Sequence, residues 1–129
     1  MRKINFNFRI GDSWRQLRYH AFWRDNLSLW GVTIGTALNA AFWITTAFKI
    51  SHLEEIIPLH YNVYFGVDQI GPRIEFLRLP ALGLLILIVN FFLAYSVYRH
   101  ERLCAYFLVL SAALLQIFLL ISGILILNL

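Results

Sequence analysis

The chain has 129 residues, of which 60% are hydrophobic and 14% charged, with a formal net charge of +4 and a mean hydropathy of +0.67. Soluble domains are roughly half apolar and a quarter charged, so most of this surface has to meet lipid or protein, and little chain is left for a soluble catalytic domain. The single cysteine, Cys104, excludes an intrachain disulfide and a thiolate metal cage.

Residues 1–26 read as a basic amphipathic segment, with Arg2, Lys3, Arg9, Arg15, Arg18 and Arg24 against Asp12 and Asp25. A cleavable signal peptide is not expected, because the charged stretch is too long and no small-residue cleavage site follows the apolar run. Asp12-Ser13-Trp14-Arg15-Gln16 matches a capping-box helix start. The helix would carry Trp14, Leu17 and Ala21 on one face and set Arg15, Arg18 and Arg24 on anionic lipid headgroups, an interfacial arrangement on the cytoplasmic side. Tyr19, Phe22 and Trp23 between basic residues would also suit single-stranded nucleic acid. The adjoining apolar run already accounts for both charges and aromatics, so nucleic acid is not an expected partner.

Residues 27–129 read as a three-span membrane domain. The apolar runs at about Leu27 to Phe48, Pro80 to Tyr98 and Leu103 to Asn128 are each long enough for a hydrocarbon core about 30 Å thick. The fold class expected is therefore an all-α membrane protein: three transmembrane helices, an N-terminal interfacial helix and one outer loop, 49–79, in which a short β-hairpin fits. Pro80 suits a first helical position, where its missing N–H would be unbonded anyway. The tight Arg99-His100-Glu101-Arg102 turn makes the second and third spans an antiparallel pair. Cys104, beginning the third span, reads as a buried, inert thiol.

Each run holds one carboxamide near its middle: Asn39, Asn90 and Gln116. An amide facing lipid lacks hydrogen-bond partners, so the three are expected to face one another, Asn90 lying about 6 Å shallower than the other two at 1.5 Å per residue. Small residues share their faces: Gly31 and Gly35 with Asn39, Gly83 and Ala94 with Asn90, and Ala105, Ala112 and Gly123 with Gln116. Such stripes let helix backbones approach closely. A transport path is the rival reading of the amides, but no Asp, Glu, Lys, Arg or His lies within a span, and ion-coupled carriers usually need one.

Basic residues set the orientation. Six precede the first span, Lys49, Arg73 and Arg78 lie between the first two, and Arg99 and Arg102 occupy the turn. The richer side stays inside, which puts the N-terminus in the cytoplasm and both the 49–79 loop and the C-terminus outside.

The outer loop holds His52, Glu54, Glu55, His60, Asp68, Arg73, Glu75 and Arg78. Pro58 and Gly66 bound an extended stretch in which Tyr61, Val63 and Phe65 alternate with Asn62 and Tyr64. Its aromatic rings suit the headgroup region, while Asn62 and Asp68 would bond loop backbone, and Gly71-Pro72 would turn the chain toward the second span. A sharper alternative makes His52, Glu55 and His60 the ligands of an open zinc site. Pro58 interrupts any helix between Glu55 and His60, so this is not an HExxH arrangement, and neither a metal nor another cofactor is expected.

The positions Pro58, His60, Tyr61, Asn62, Gly66 and Asp68, placed between a first and a second span, resemble the Pro-x-His-aromatic-Asn … Gly … Asp signature of a bacterial domain of unknown function. That domain also forms the N-terminal part of the sporulation-delay toxin immunity proteins, the SdpI-like family. The resemblance implies a small integral protein of the bacterial inner membrane whose outward loop carries the recognisable surface, and it supplies no reaction. The function expected is non-enzymatic binding or complex formation through spans and loop, with another membrane subunit, a second copy or an extracellular peptide as partner. The alternatives are a metal-dependent membrane enzyme, a toxin-immunity or signalling protein, and a transport component.

Overall fold

The computed structural model describes residues 21–128. They form a short 3-10 helix (Ala21–Arg24), α1 (Asn26–Ile50), β1 (Ile56–Asn62), β2 (Gly66–Pro72), a second 3-10 helix (Arg73–Leu77), α2 (Arg78–Val97) and α3 (Arg102–Ile126). The chain is mostly helical, and its three long helices, the second counted from Arg73 to Val97, are long and apolar enough to cross a membrane. The helix that Asp12 to Gln16 would open, with Trp14 and Leu17, lies outside the described residues.

Local chemistry sets the helix ends. Asp25 has extended backbone and its carboxylate accepts a hydrogen bond from the Ser28 N–H at 2.8 Å, which caps one of the first turn's unpaired donors. Burial pushes the Asp25 carboxyl up, but the bonds from Ser28 and from the Tyr106 hydroxyl outweigh it and hold the group below its ordinary value. Lys49 lies in the last turn of α1, where a cation suits the helix dipole. Pro80 sits in the first turn of α2, two residues later than expected because the helix already starts at Arg78. No N–H is needed there either.

α3 packs along both other helices, and α1 and α2 meet each other over a shorter stretch. Two apolar layers close the bundle. At the α2–α3 turn end, Phe22, Ala94, Tyr98, Ala105 and Val109 cluster, with the Phe22 ring edge-on to Tyr98 at 5.5 Å. At the opposite end, Phe42, Ile57, Phe76 and Leu127 cluster, with Phe42 edge-on to Phe76 at 6.1 Å. At the described end of the expected interfacial segment, Ala21 is exposed and the neighbouring Phe22 is buried in the bundle.

β1 and β2 form a two-stranded antiparallel sheet, with Ile56 opposite Pro72 and Asn62 opposite Gly66. The register slips between Pro58 and Tyr61, leaving Leu59 and Asp68 without ladder partners, and a bulge of this kind re-aims side chains. Ile57 and Leu59 both turn to the bundle, where Leu59 packs on the Phe76 cluster. The base of the hairpin is tied down by the Arg73 N–H, which donates to Glu55 O at 3.0 Å, and by Arg73 Nη1, which donates to Leu53 O at 3.0 Å.

Candidate functional site

The six hairpin positions of the motif divide their work. Asn62 Oδ1 accepts from the Tyr64 N–H at 2.9 Å, closing the turn with a side-chain mimic of a backbone bond. Gly66 follows at φ 75°, a conformation that costs a residue with a Cβ about 1 kcal/mol or more. His60 Nδ1 donates to Asp68 Oδ1 at 2.6 Å across the bulge. A carboxylate only accepts, so this bond places the ring proton on Nδ1. Asp68 therefore bonds a side chain, where loop backbone was expected, while Asn62 does bond backbone. Pro58 stands opposite Ile70 and Tyr61 opposite Val67.

Between Asn62 and Gly66 the chain turns, so Val63, Tyr64 and Phe65 are the tip of the hairpin and not a continuing strand. They are 86%, 90% and 83% exposed. Gly71 and Pro72 end β2, where a turn was expected, and the 3-10 helix at Arg73 leads the chain into α2. The turn signal was present in the sequence: Asn62 and Gly66, with three residues between them, favour a hairpin loop over one uninterrupted strand.

The residues of the zinc alternative are not brought together. His52 Nδ1 bonds Phe48 O at 3.0 Å at the end of α1, His60 is committed to Asp68, and among the described residues no three His, Cys, Asp or Glu cluster closely enough to hold a metal ion.

The buried polar site lies between the three long helices. Asn39 Nδ2 donates to Gln116 Oε1 at 3.0 Å and to Pro80 O at 3.2 Å, and Gln116 Nε2 donates to Gly83 O at 2.9 Å. Asn39 and Gln116 are 3% and 1% exposed. Asn90, expected to face them, does not: it is half-buried and donates to Ile86 O of its own helix at 2.9 Å. The third partner of the amide pair is α2 backbone, made reachable because Gly83 has no side chain. A Cβ there would lie 2.7 Å from Gln116 Oε1 and 2.8 Å from Asn39 Nδ2. Sequence periodicity identifies amides, but it carries no sign of which carbonyls a glycine uncovers.

The other small residues hold the same seams. A Cβ on Gly31 would collide with Val109, and one on Gly123 with the Phe42 ring; one on Gly35 would lie 3.0 Å from Leu87 and 3.3 Å from Phe91 of α2. At the turn end, Tyr106 donates its hydroxyl to Asp25 at 3.0 Å and the Arg102 guanidinium lies 5.7 Å from the Tyr98 ring centre. Neither contact was expected from the sequence, because each joins positions far apart or set by the turn. Of the arginines assigned to headgroups, Arg24 is exposed, and Arg15 and Arg18 lie outside the described residues. Cys104, expected to be buried, is exposed, since Ala105 beside it faces the core.

No family model, curated protein or solved structure matches the chain. The fold and site therefore define a class in outline: a helical bundle with three segments able to cross a membrane and a hairpin at one end.

Proposed function

We propose that the protein is a three-span integral protein of the bacterial inner membrane, cytoplasmic at its N-terminus, which acts as a non-enzymatic complex-forming protein. The observation that carries this reading is the surface of the spans. Only 28%, 22% and 33% of the three apolar windows is buried inside the chain, so the remaining apolar side chains require lipid or a neighbouring helix. Charge supports the orientation: Arg24, Arg99 and Arg102 gather with Asp25 and Glu101 at the turn end, while Lys49, Arg73 and Arg78 at the other end are outnumbered by Glu54, Glu55, Asp68 and Glu75.

The hairpin is the recognition surface of this reading. Its motif residues build and display a rigid ribbon: Asn62 closes the turn, Gly66 takes the left-handed backbone and His60–Asp68 ties the strands. The resemblance to the SdpI-like N-terminal domain rests on these same residues, and a second membrane subunit, a second copy or an extracellular peptide is the partner class.

Two measurements test the proposal. Maleimide labelling of exposed Glu54→Cys on a Cys104→Ser background in whole cells is expected from outside; labelling only after the cells are opened refutes the orientation. A photoreactive residue at exposed Gln69 in native membranes is expected to give a discrete protein adduct; its absence at every growth stage refutes the recognition role.

A further inference from the structure

We propose that the tip of the hairpin, Val63-Tyr64-Phe65, is seated in the phospholipid of the outer leaflet beside α2, an inference that rests on the three-span reading. It begins from the depth at which the hairpin meets the second span. Measured from the amide layer, α1 continues from Asn39 to Ile50 for roughly 16 Å and α3 from Gln116 to Ile126 for roughly 15 Å; on the second span Leu79 and Arg78 stand only about 6 and 7.5 Å beyond Gly83, and the 3-10 helix Arg73–Leu77 carries that span on past them. The amide layer falls near the middle of α1 and α3, and half a hydrocarbon core is about 15 Å. Leu79 and Arg78 therefore lie within the depth of the leaflet.

The hairpin sits beside these two residues. Ile57 packs with Phe42, Phe76 and Leu127 above the end of α2, and Leu59 and Gln69 line one cleft with Glu75, Phe76, Arg78 and Leu79. The root of the ribbon is thus held at the level of the first turn of α2, and the residues beyond it leave the bundle at leaflet depth.

Their chemistry matches that surrounding. From Tyr61 to Val67 there is no charged side chain, and the flanking His60 and Asp68 satisfy each other. The Tyr64 N–H is already bonded by Asn62, so seating it among lipid strands one donor fewer. Tyr and Phe rings with apolar bodies are the residues that settle at a membrane interface. Ile70 of β2 and Ile74 of the 3-10 helix that leads into α2 are exposed apolar residues as well.

The test uses the full chain in phosphatidylcholine vesicles, labelled with an environment-sensitive fluorophore at Tyr64→Cys, and separately at Val63→Cys, on a Cys104→Ser background. Leu115→Cys, exposed halfway along α3, is the lipid control and Glu54→Cys the water control. At the tip, doxyl-labelled lipid is expected to quench strongly and iodide several-fold less than at position 54. Iodide quenching at the tip equal to that at position 54, with position 115 still quenched by lipid, overturns the tip proposal and leaves the span reading standing. Lack of lipid quenching at position 115 overturns both. A tip shielded from both quenchers is covered by protein, a second copy or another partner, and that also overturns the proposal.

Discussion

Replacing Asn39 with Leu, similar in shape but without polar atoms, removes two hydrogen bonds and leaves Gln116 Oε1 buried without the Asn39 donor. Interhelical bonds of this kind average about 0.6 kcal/mol and reach about 1.7 in membranes, and an orphaned buried polar atom adds about 1 kcal/mol or more. The expected cost is therefore about 1–2.5 kcal/mol. Gln116→Met, of similar length, also removes two bonds and leaves Asn39 with Pro80 O alone, for a cost in the same range of about 1–2.5 kcal/mol. The double variant leaves neither side chain stranded, so it is expected to cost no more than the worse single, a coupling of about 1 kcal/mol or more. Reversible unfolding in mixed micelles or steric trapping in bicelles measures all three. Asn90→Leu is the control: its bond stays within its own helix, and the expected change is within about 0.5 kcal/mol. Single losses that add in the double variant to within about 0.5 kcal/mol, or an Asn90 loss as large as that at Asn39, would refute the account of a two-amide layer bonded to α2 backbone.

Further outcomes follow from individual contacts. Gly31→Ile, which drives a branched side chain into Val109, is expected to destabilise the α1–α3 seam by about 1–3 kcal/mol as overpacking does, read by the same unfolding assay. Gly66→Ala meets no neighbouring atom but inherits φ 75°; a loss of about 1 kcal/mol confined to the hairpin is expected, seen as faster amide exchange there with the bundle unchanged. Asp25 has its folded-state carboxyl depressed, so its contribution is complete above the ordinary carboxylate value and disappears as pH falls through the folded one. The stability advantage of wild type over Asp25→Asn, present at neutral pH, should accordingly begin to fall in unfolding measurements below about pH 4 and disappear only at still lower pH, as the folded carboxyl takes up its proton.

How much of this was legible in the residues alone differs from element to element. The three long helices were, to within two or three residues at each end, because apolar run length, Pro80 and the Arg99 to Arg102 turn are local signals that need no partner. The buried faces of Gly31, Gly35, Gly83, Gln116 and Gly123 were legible for the same reason, since helical periodicity places them on common stripes. The hairpin was half visible: a short β-hairpin fitted the loop, but Pro58 and Gly66 read as the bounds of one extended stretch, and the alternation of Tyr61, Val63 and Phe65 suggested strand where the chain reverses.

What tertiary structure alone decided is which polar groups meet. Three amides in three apolar runs each require a partner, but a side-chain amide can satisfy itself on its own helix, as Asn90 does on Ile86, or reach a carbonyl uncovered by a glycine, as Gln116 does at Gly83. The choice depends on the rotation and vertical offset of whole helices, set by the summed packing of Val109 on Gly31 and Phe42 on Gly123, and no window of sequence contains that sum. His60 and Asp68 show the same rule in the hairpin. Their pairing follows from a slipped register between two strands, which exists only once both are aligned.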